Sequence, residues 1–176
     1  MKKSDINQPP CYFDKYLDLV DDIELSAAFK QSISELDNLD LAKFNAIGDK
    51  VYAEGKWTIK DILQHLIDSE RVLAYRSLCI GRNDPTELPS FDEEIFAATV
   101  STKNKTLEGI IAEMKIVRTS TELLFESFDD AAMQRSMTIY GNQMCVLAYG
   151  FAMIAHQIHH LKIIEERYLP LAETRP

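Results

Sequence analysis

Apolar residues recur at helical spacing in four long stretches of this 176-residue chain. Leu25, Phe29, Ile33 and Leu36 make one stripe, which predicts a helix over about 24–36 with Asp21 and Asp22 as N-cap oxygens. Ile59, Ile62, Leu66 and Leu73 make a second over 58–80. Thr58 with Asp61 three residues on resembles a capping box, and Gly81 is placed to stop the helix. Leu107, Ile110, Ile111, Met114, Val117, Leu124, Phe125 and Phe128 keep the period over 106–128, with charge on the other side. The fourth stretch, Ala148 to Tyr168, is different. From Met144 to Ala155 it is apolar on nearly every side, broken only by Gly150, and such a helix is buried among others.

The connectors are long and uneven. Residues 1–10 are polar, end in two prolines and read as a flexible leader. Tyr12, Phe13, Tyr16, Leu17 and Val20 suggest a short amphipathic helix across the body. Residues 37–56 read as irregular, with Gly48 and Gly55 as breakers. Asn83, Asp84 and Pro85 continue a turn, and Ser90 with Glu93 forms a second capping-box pattern opening a short helix to about Thr99. Residues 133–142 are a connector, in which Thr138, Ile139 and Tyr140 before Gly141-Asn142 form a brief extended piece and turn. The expected architecture is all-α, a four-helix bundle with a short N-terminal helical segment packed across it. It occupies residues 11–170 as one domain, followed by a tail over 171–176.

Charge and cysteine usage narrow the function. A net charge of −9 repels phosphate backbones, so nucleic acid is not an expected partner. Histidines interrupt the most apolar helix, so it is not a membrane span. Cys11, Cys79 and Cys145 are odd in number, form no CxxC pair, and fit a reducing, cytoplasmic setting. No apolar stretch of signal-peptide type follows the first lysines.

Chemistry is concentrated in four histidines. His156, His159 and His160 fall within five residues of the apolar helix, and His65 sits beside the inner stripe of the second. Imidazoles on two helices could hold a divalent ion with positions left open, the mark of a catalytic site, and neutral nitrogens suit Zn or Ni. The opposing reading is a satisfied core histidine at 65 and a surface stripe on the last helix. Spacing alone leaves two ligand pairs, His156 with His159 and His156 with His160. The HExxH protease pattern fails, because Gln157 stands where the base must be. Cys145 lies about 16 Å of helix rise from His156 and Cys79 about 21 Å from His65, so buried structural thiols are expected. No Ser–His pairing is evident. Arg71, Arg76 and Arg82 could meet an anionic substrate, although solvated or bridging roles are commoner.

Two segments together resemble the DinB-like superfamily: G-K-W-T-I-K-D-I-L-Q-H-L-I-D-S-E-R from Gly55 to Arg71, and A-H-Q-I-H-H-L-K-I-I-E-E-R-Y from Ala155 to Tyr168. P-C-Y-F-D-K-Y near the start and L-P-S-F-D-E-E from Leu88 to Glu94 are similar to the branch containing bacillithiol S-transferases. The resemblance implies a four-helix bundle with one divalent ion on His65, His156 and His160, leaving His159 beside the ligands. Ala155 stands where that pattern has Gly. A homodimer is implied by the same resemblance. With no nucleophile evident in the chain, the catalytic group is expected to be an external thiol or water deprotonated at the ion. The implied activity is a metal-dependent S-transferase joining a low-molecular-weight thiol to an electrophilic small molecule. The alternatives are a metal-dependent hydrolase and a non-catalytic binding module stabilised by the metal.

Overall fold

A computed structural model describes residues 1–7 and 14–173. In chain order these form a 3-10 turn (Lys3–Asp5), α1 (Asp14–Leu17), α2 (Leu25–Asp37), α3 (Leu41–Ile47), α4 (Ile59–Gly81), α5 (Glu93–Thr99), α6 (Leu107–Glu126) and α7 (Asp130–Gln134). Then come β1 (Ser136–Ile139), β2 (Asn142–Cys145), α8 (Val146–Ile163), a π-helical turn (Ile164–Tyr168) and α9 (Pro170–Glu173). The four long helices α2, α4, α6 and α8 are the bundle, as the four apolar stripes predict. Among the described residues no helix is long and apolar enough to cross a membrane.

Their pairing is not that of consecutive hairpins. α4 packs on α6 and α8, and α2 packs on the same two, so sequence neighbours α2 and α4 sit diagonally. The apolar interior falls into two clusters. One gathers Leu25 and Phe29 of α2, Leu73 and Ile80 of α4, Phe125 of α6 and Val146 to Ala155 of α8. The other gathers Leu36, Ile59 to Ile67, Leu107 to Met114 and Ile164 with Tyr168. Along α2 and α8 the first cluster precedes the second, and along α4 and α6 the order is reversed. Hence α4 and α6 run parallel to each other and antiparallel to α2 and α8. Residues 82–106 must then return along the bundle, which carries α5 past the middle of α4.

Between the clusters lies a polar layer to which every long helix contributes. Arg118 of α6 donates from Nε to both carboxylate oxygens of Glu70 on α4, at 2.9 and 3.0 Å. Its other nitrogens reach Ser32 Oγ of α2 and, at 3.5 Å, the Met153 carbonyl of α8. Gln157 of α8 donates to the Ser32 carbonyl at 2.8 Å. Arg118 and Glu70 are almost wholly buried, with side chains 3% and 7% exposed. The pair fixes the axial register of four helices whose apolar faces could otherwise slide. Gly150 lets α8 approach closely, since a Cβ there would meet Leu25 at 2.8 Å and Phe125 at 2.9 Å.

Several local expectations are corrected. The cap of α5 is Asp92, which accepts from the Glu94 and Ile95 amides, rather than Ser90. α2 starts without a side-chain cap; Asp22 instead accepts from the Ser4 amide. Residues 37–56 are not wholly irregular, because Asp40 caps α3, which buries Phe44 and Ile47. Gly81 is still helical; a Cβ there would strike the Phe128 ring, and the turn falls to Asn83 at φ 60°. The extended piece at 138–140 is a full hairpin. Ile139 pairs with Asn142, so the turn residues are Tyr140 and Gly141, at φ 51° and 77°. The first seven residues are docked rather than loose, with Lys3 Nζ donating to the Leu17 and Val20 carbonyls. α1 begins at Asp14 and packs on α8, whereas Cys11, Tyr12 and Phe13 lie outside the described residues.

The buried pair gives the first prediction. Arg118→Leu strands the Glu70 carboxylate and should cost about 3–5 kcal/mol in urea unfolding. Glu70→Leu/Arg118→Leu should recover most of that loss; a double variant as unstable as the single would contradict a pairwise charge penalty.

Candidate metal centre

The capping box at Thr58 is present, with the Asp61 amide donating to Thr58 Oγ1 at 3.2 Å and the Asp61 carboxylate accepting from the Thr58 amide. It fixes where α4 starts and hence where His65 lies. Asp61 also accepts from Thr102 Oγ1 at 2.6 Å, which ties the returning connector to α4. α8 is fixed at its start by Cys145, whose sulfur accepts from the Ala148 amide, and by the Val146 amide donating to the Arg135 carbonyl. Cys145 and Cys79 are buried thiols, as expected.

These two helices bring three of the four histidines together. His156 Nε2 is 3.2 Å from His65 Nε2 and 3.0 Å from His160 Nε2. One ring nitrogen from each of His65, His156 and His160 lies within 4.8 Å of the other two. Ligands about 2.0–2.1 Å from a common ion are about 3.0 Å apart in an octahedron and about 3.3 Å in a tetrahedron. The two separations made by His156 fall in that range. His159 turns aside, its ring meeting Tyr16 edge-on at 4.6 Å between centroids. The Trp57 ring lies 4.8 Å from that of His65, and the Trp57 carbonyl accepts from Tyr168 in the π-helical turn, at 2.5 Å.

The electrostatics favour unprotonated rings. Burial pushes the His65, His156 and His160 pKa values down, and the neighbouring imidazoles push those of His156 and His160 further. His160 falls to about 3. Neutral imidazoles can each turn one lone pair toward a common centre, the donor set a divalent cation requires. Ser69 Oγ stands 3.4 Å from His65 Nδ1, a Ser–His contact the sequence reading did not find, although i, i+4 spacing on α4 allows it. It touches the ring nitrogen turned away from the cluster, where it orients the imidazole. Gln157, in the position of the missing protease base, points into the polar layer toward Ser32 and Glu35.

The cluster forms part of the wall of an open pocket of about 370 Å³. Its other sides come from Leu73 and Arg76 of α4, the hairpin residues Ile139 and Met144, Tyr149 of α8, and the connector residues Phe91, Glu93 and Glu94. Of the three arginines singled out in the sequence, only Arg76 lines this pocket. Arg71 is paired with Glu113 at 2.9 Å, and Arg82 donates to Ser127 beside the Phe128 ring. Glu93 was missed as a site residue. Its charge raises the His65 pKa against the larger effect of burial. The only sequence signal for it was its place in L-P-S-F-D-E-E.

A pH dependence follows for the metal-free protein. Unfolded histidines take up protons near pH 6.5, whereas folded His160 does so only near 3. Stability present above pH 6.5 is therefore lost as pH falls toward 3, by up to about 1.4 kcal/mol per unit for each such histidine. Urea midpoints of chelator-treated protein should drop between pH 7 and 5, and drop less in His160→Gln; equal losses in both would contradict the assignment.

Comparison with known proteins identifies the family. The family model of the DinB superfamily matches residues 15–164. A protein of Oceanobacillus iheyensis, named as a candidate metal-dependent hydrolase, is 29% identical over 123 residues, covering 66% of this chain and 67% of its own. The solved structure of YfiT from Bacillus subtilis superposes with a TM-score of 0.62 at 19% identity, covering 87% of this chain and 83% of that one. YfiT is described as a candidate metal-dependent hydrolase with an unusual four-helix bundle topology, and the diagonal placement of α2 and α4 is likewise no simple up-and-down order. With 150 consecutive residues matched by the family model, the chain belongs to the DinB superfamily.

Proposed function

We propose that the chain is a metal-dependent enzyme that joins a low-molecular-weight thiol to an electrophilic small molecule, with one divalent ion, Zn or Ni, held by His65, His156 and His160. The observation that supports this best is the convergence of three neutral ring nitrogens at the wall of an open pocket. No cysteine lines that pocket among the described residues, and in this reading the attacking group is an external thiol. A bound divalent ion supplies the means to deprotonate a thiol or a water at neutral pH.

The chain's own residues have separate tasks in this reading. Trp57 and Ser69 hold the His65 ring. Leu73, Ile139 and Met144 give the pocket an apolar side that keeps water from a reactive electrophile. Ser90, Phe91, Glu93 and Glu94 all line the pocket, and they belong to the segment that resembles the bacillithiol S-transferase branch. That coincidence favours a thiol as co-substrate. Hydrolysis is the second reading. It is favoured by Glu93, a carboxylate near enough to His65 to act on its pKa and able to take a proton from water, and by the names of the relatives. A purely structural metal would be closed by a fourth protein ligand, and the ligand group found among the described residues has three members.

The test offers zinc- or nickel-loaded protein a generic electrophile with bacillithiol, with glutathione, or with water alone, and follows product by mass spectrometry. A metal-dependent thioether formed only with a thiol is expected. Product that forms equally without thiol would assign the hydrolytic reading, and no turnover under any condition would remove the enzymatic one.

A further inference from the structure

Arg76 is a half-buried guanidinium that lines the pocket and, among the described residues, forms no ion pair. It donates from Nη2 to the Pro89 carbonyl at 2.9 Å and lies over the Phe91 ring, 5.5 Å from its centroid. The Tyr149 hydroxyl is the other group beside it, and Arg76 partly offsets the upward push of burial on that phenol. Among the described residues no carboxylate lies within ion-pair distance of Arg76, although Arg71 on the preceding turns has two. Glu93 and Glu94 line the same pocket without pairing to it. A guanidinium carries five N–H donors in a planar fork, and the Pro89 carbonyl and Tyr149 cannot occupy all of them. Phe91 and the Pro89 contact hold the fork still, so little side-chain entropy remains to be lost on binding.

We infer that Arg76, flanked by Tyr149 and Phe91, is an anion subsite of this pocket, and that the small molecule bound there presents a carboxylate to it. This rests on the reading of the pocket as the substrate site. It deepens that reading by setting the substrate class: a compound with a carboxylate at one end and its reacting atom within reach of the histidines. A bidentate, charge-assisted pair in a partly desolvated pocket discriminates a carboxylate from its neutral amide by about tenfold or more. The bland alternative, that Arg76 only braces the connector at Pro89, predicts no such discrimination.

Phenylacetate and phenylacetamide differ by this one charge and can share the Phe91 side of the pocket. Calorimetric titration of both into zinc-loaded protein, chelator-treated protein, Arg76→Gln and Arg76→Lys makes the test. Phenylacetate should bind at least about tenfold more tightly than the amide in wild type, with or without zinc. The ratio should fall to near one in Arg76→Gln and be intermediate in Arg76→Lys, both folded by circular dichroism. Equal affinities in wild type would overturn the inference. So would a preference that survives Arg76→Gln and disappears on chelation, since the carboxylate would then be going to the ion. Zinc content measured on the same samples separates the two claims. An Arg76-dependent preference in a chain that retains no zinc keeps the subsite and removes the metal reading. One zinc with no preference does the reverse.

Discussion

The buried contact between Arg118 and Glu70 is the constraint on which the other features of this bundle depend. Two apolar clusters by themselves would accept several axial registers, because hydrophobic burial is non-directional. A guanidinium that must meet a carboxylate on α4, a hydroxyl on α2 and a carbonyl on α8 accepts one. The energetic benefit of such a pair over a well-packed apolar layer is small or negative, so its value lies in specificity. Here the specificity has a chemical use. Glu70 is just over one helical turn beyond His65, and the Met153 carbonyl is just under one turn before His156. The register that satisfies Arg118 is therefore the register that brings the ring nitrogens of α4 and α8 to within 3.2 Å.

The topology serves the same end. Because α4 and α6 are parallel, their connector must travel back along the bundle, and it does so across the face where His65 lies. A conventional hairpin would leave the histidines open to solvent on that side. The connector supplies Phe91, Glu93 and Glu94, the β-hairpin supplies Ile139 and Met144, and the pocket is closed by segments outside the bundle proper. Scaffold and specificity are thus carried by different parts of the chain: rigid helices hold the ligands, and loops set what can reach them.

Much of this was legible in the sequence because helical periodicity is a long-range signal. Four stripes gave four helices, and imidazoles in an all-apolar helix marked a costly placement, although spacing alone left His159 and His160 both open as the partner of His156 and only the family resemblance chose His160. What escaped depends on short or distant interactions. α3 has a single pair of buried residues, Phe44 and Ile47, too few to show a period. Asp92 and Ser90 are both good caps, and only the path of the connector selects between them. Cys145 caps α8 with sulfur, a residue type that no capping preference singles out. Glu70 and Arg118 are 48 residues apart; each falls at helical spacing within an apolar stripe, but no local pattern pairs one with the other. Arg76 was indistinguishable from Arg71 and Arg82 until the fold turned it toward the histidines and turned the other two away.

The most direct measurement is metal stoichiometry after equilibrium dialysis against zinc and nickel, for the wild type and for single alanine variants of the four histidines. One ion per chain is expected in wild type and in His159→Ala, with loss in His65→Ala, His156→Ala and His160→Ala while each stays folded by circular dichroism. Retention of the ion in His65→Ala, or its loss in His159→Ala but not His160→Ala, would contradict a centre built from these two helices in this register.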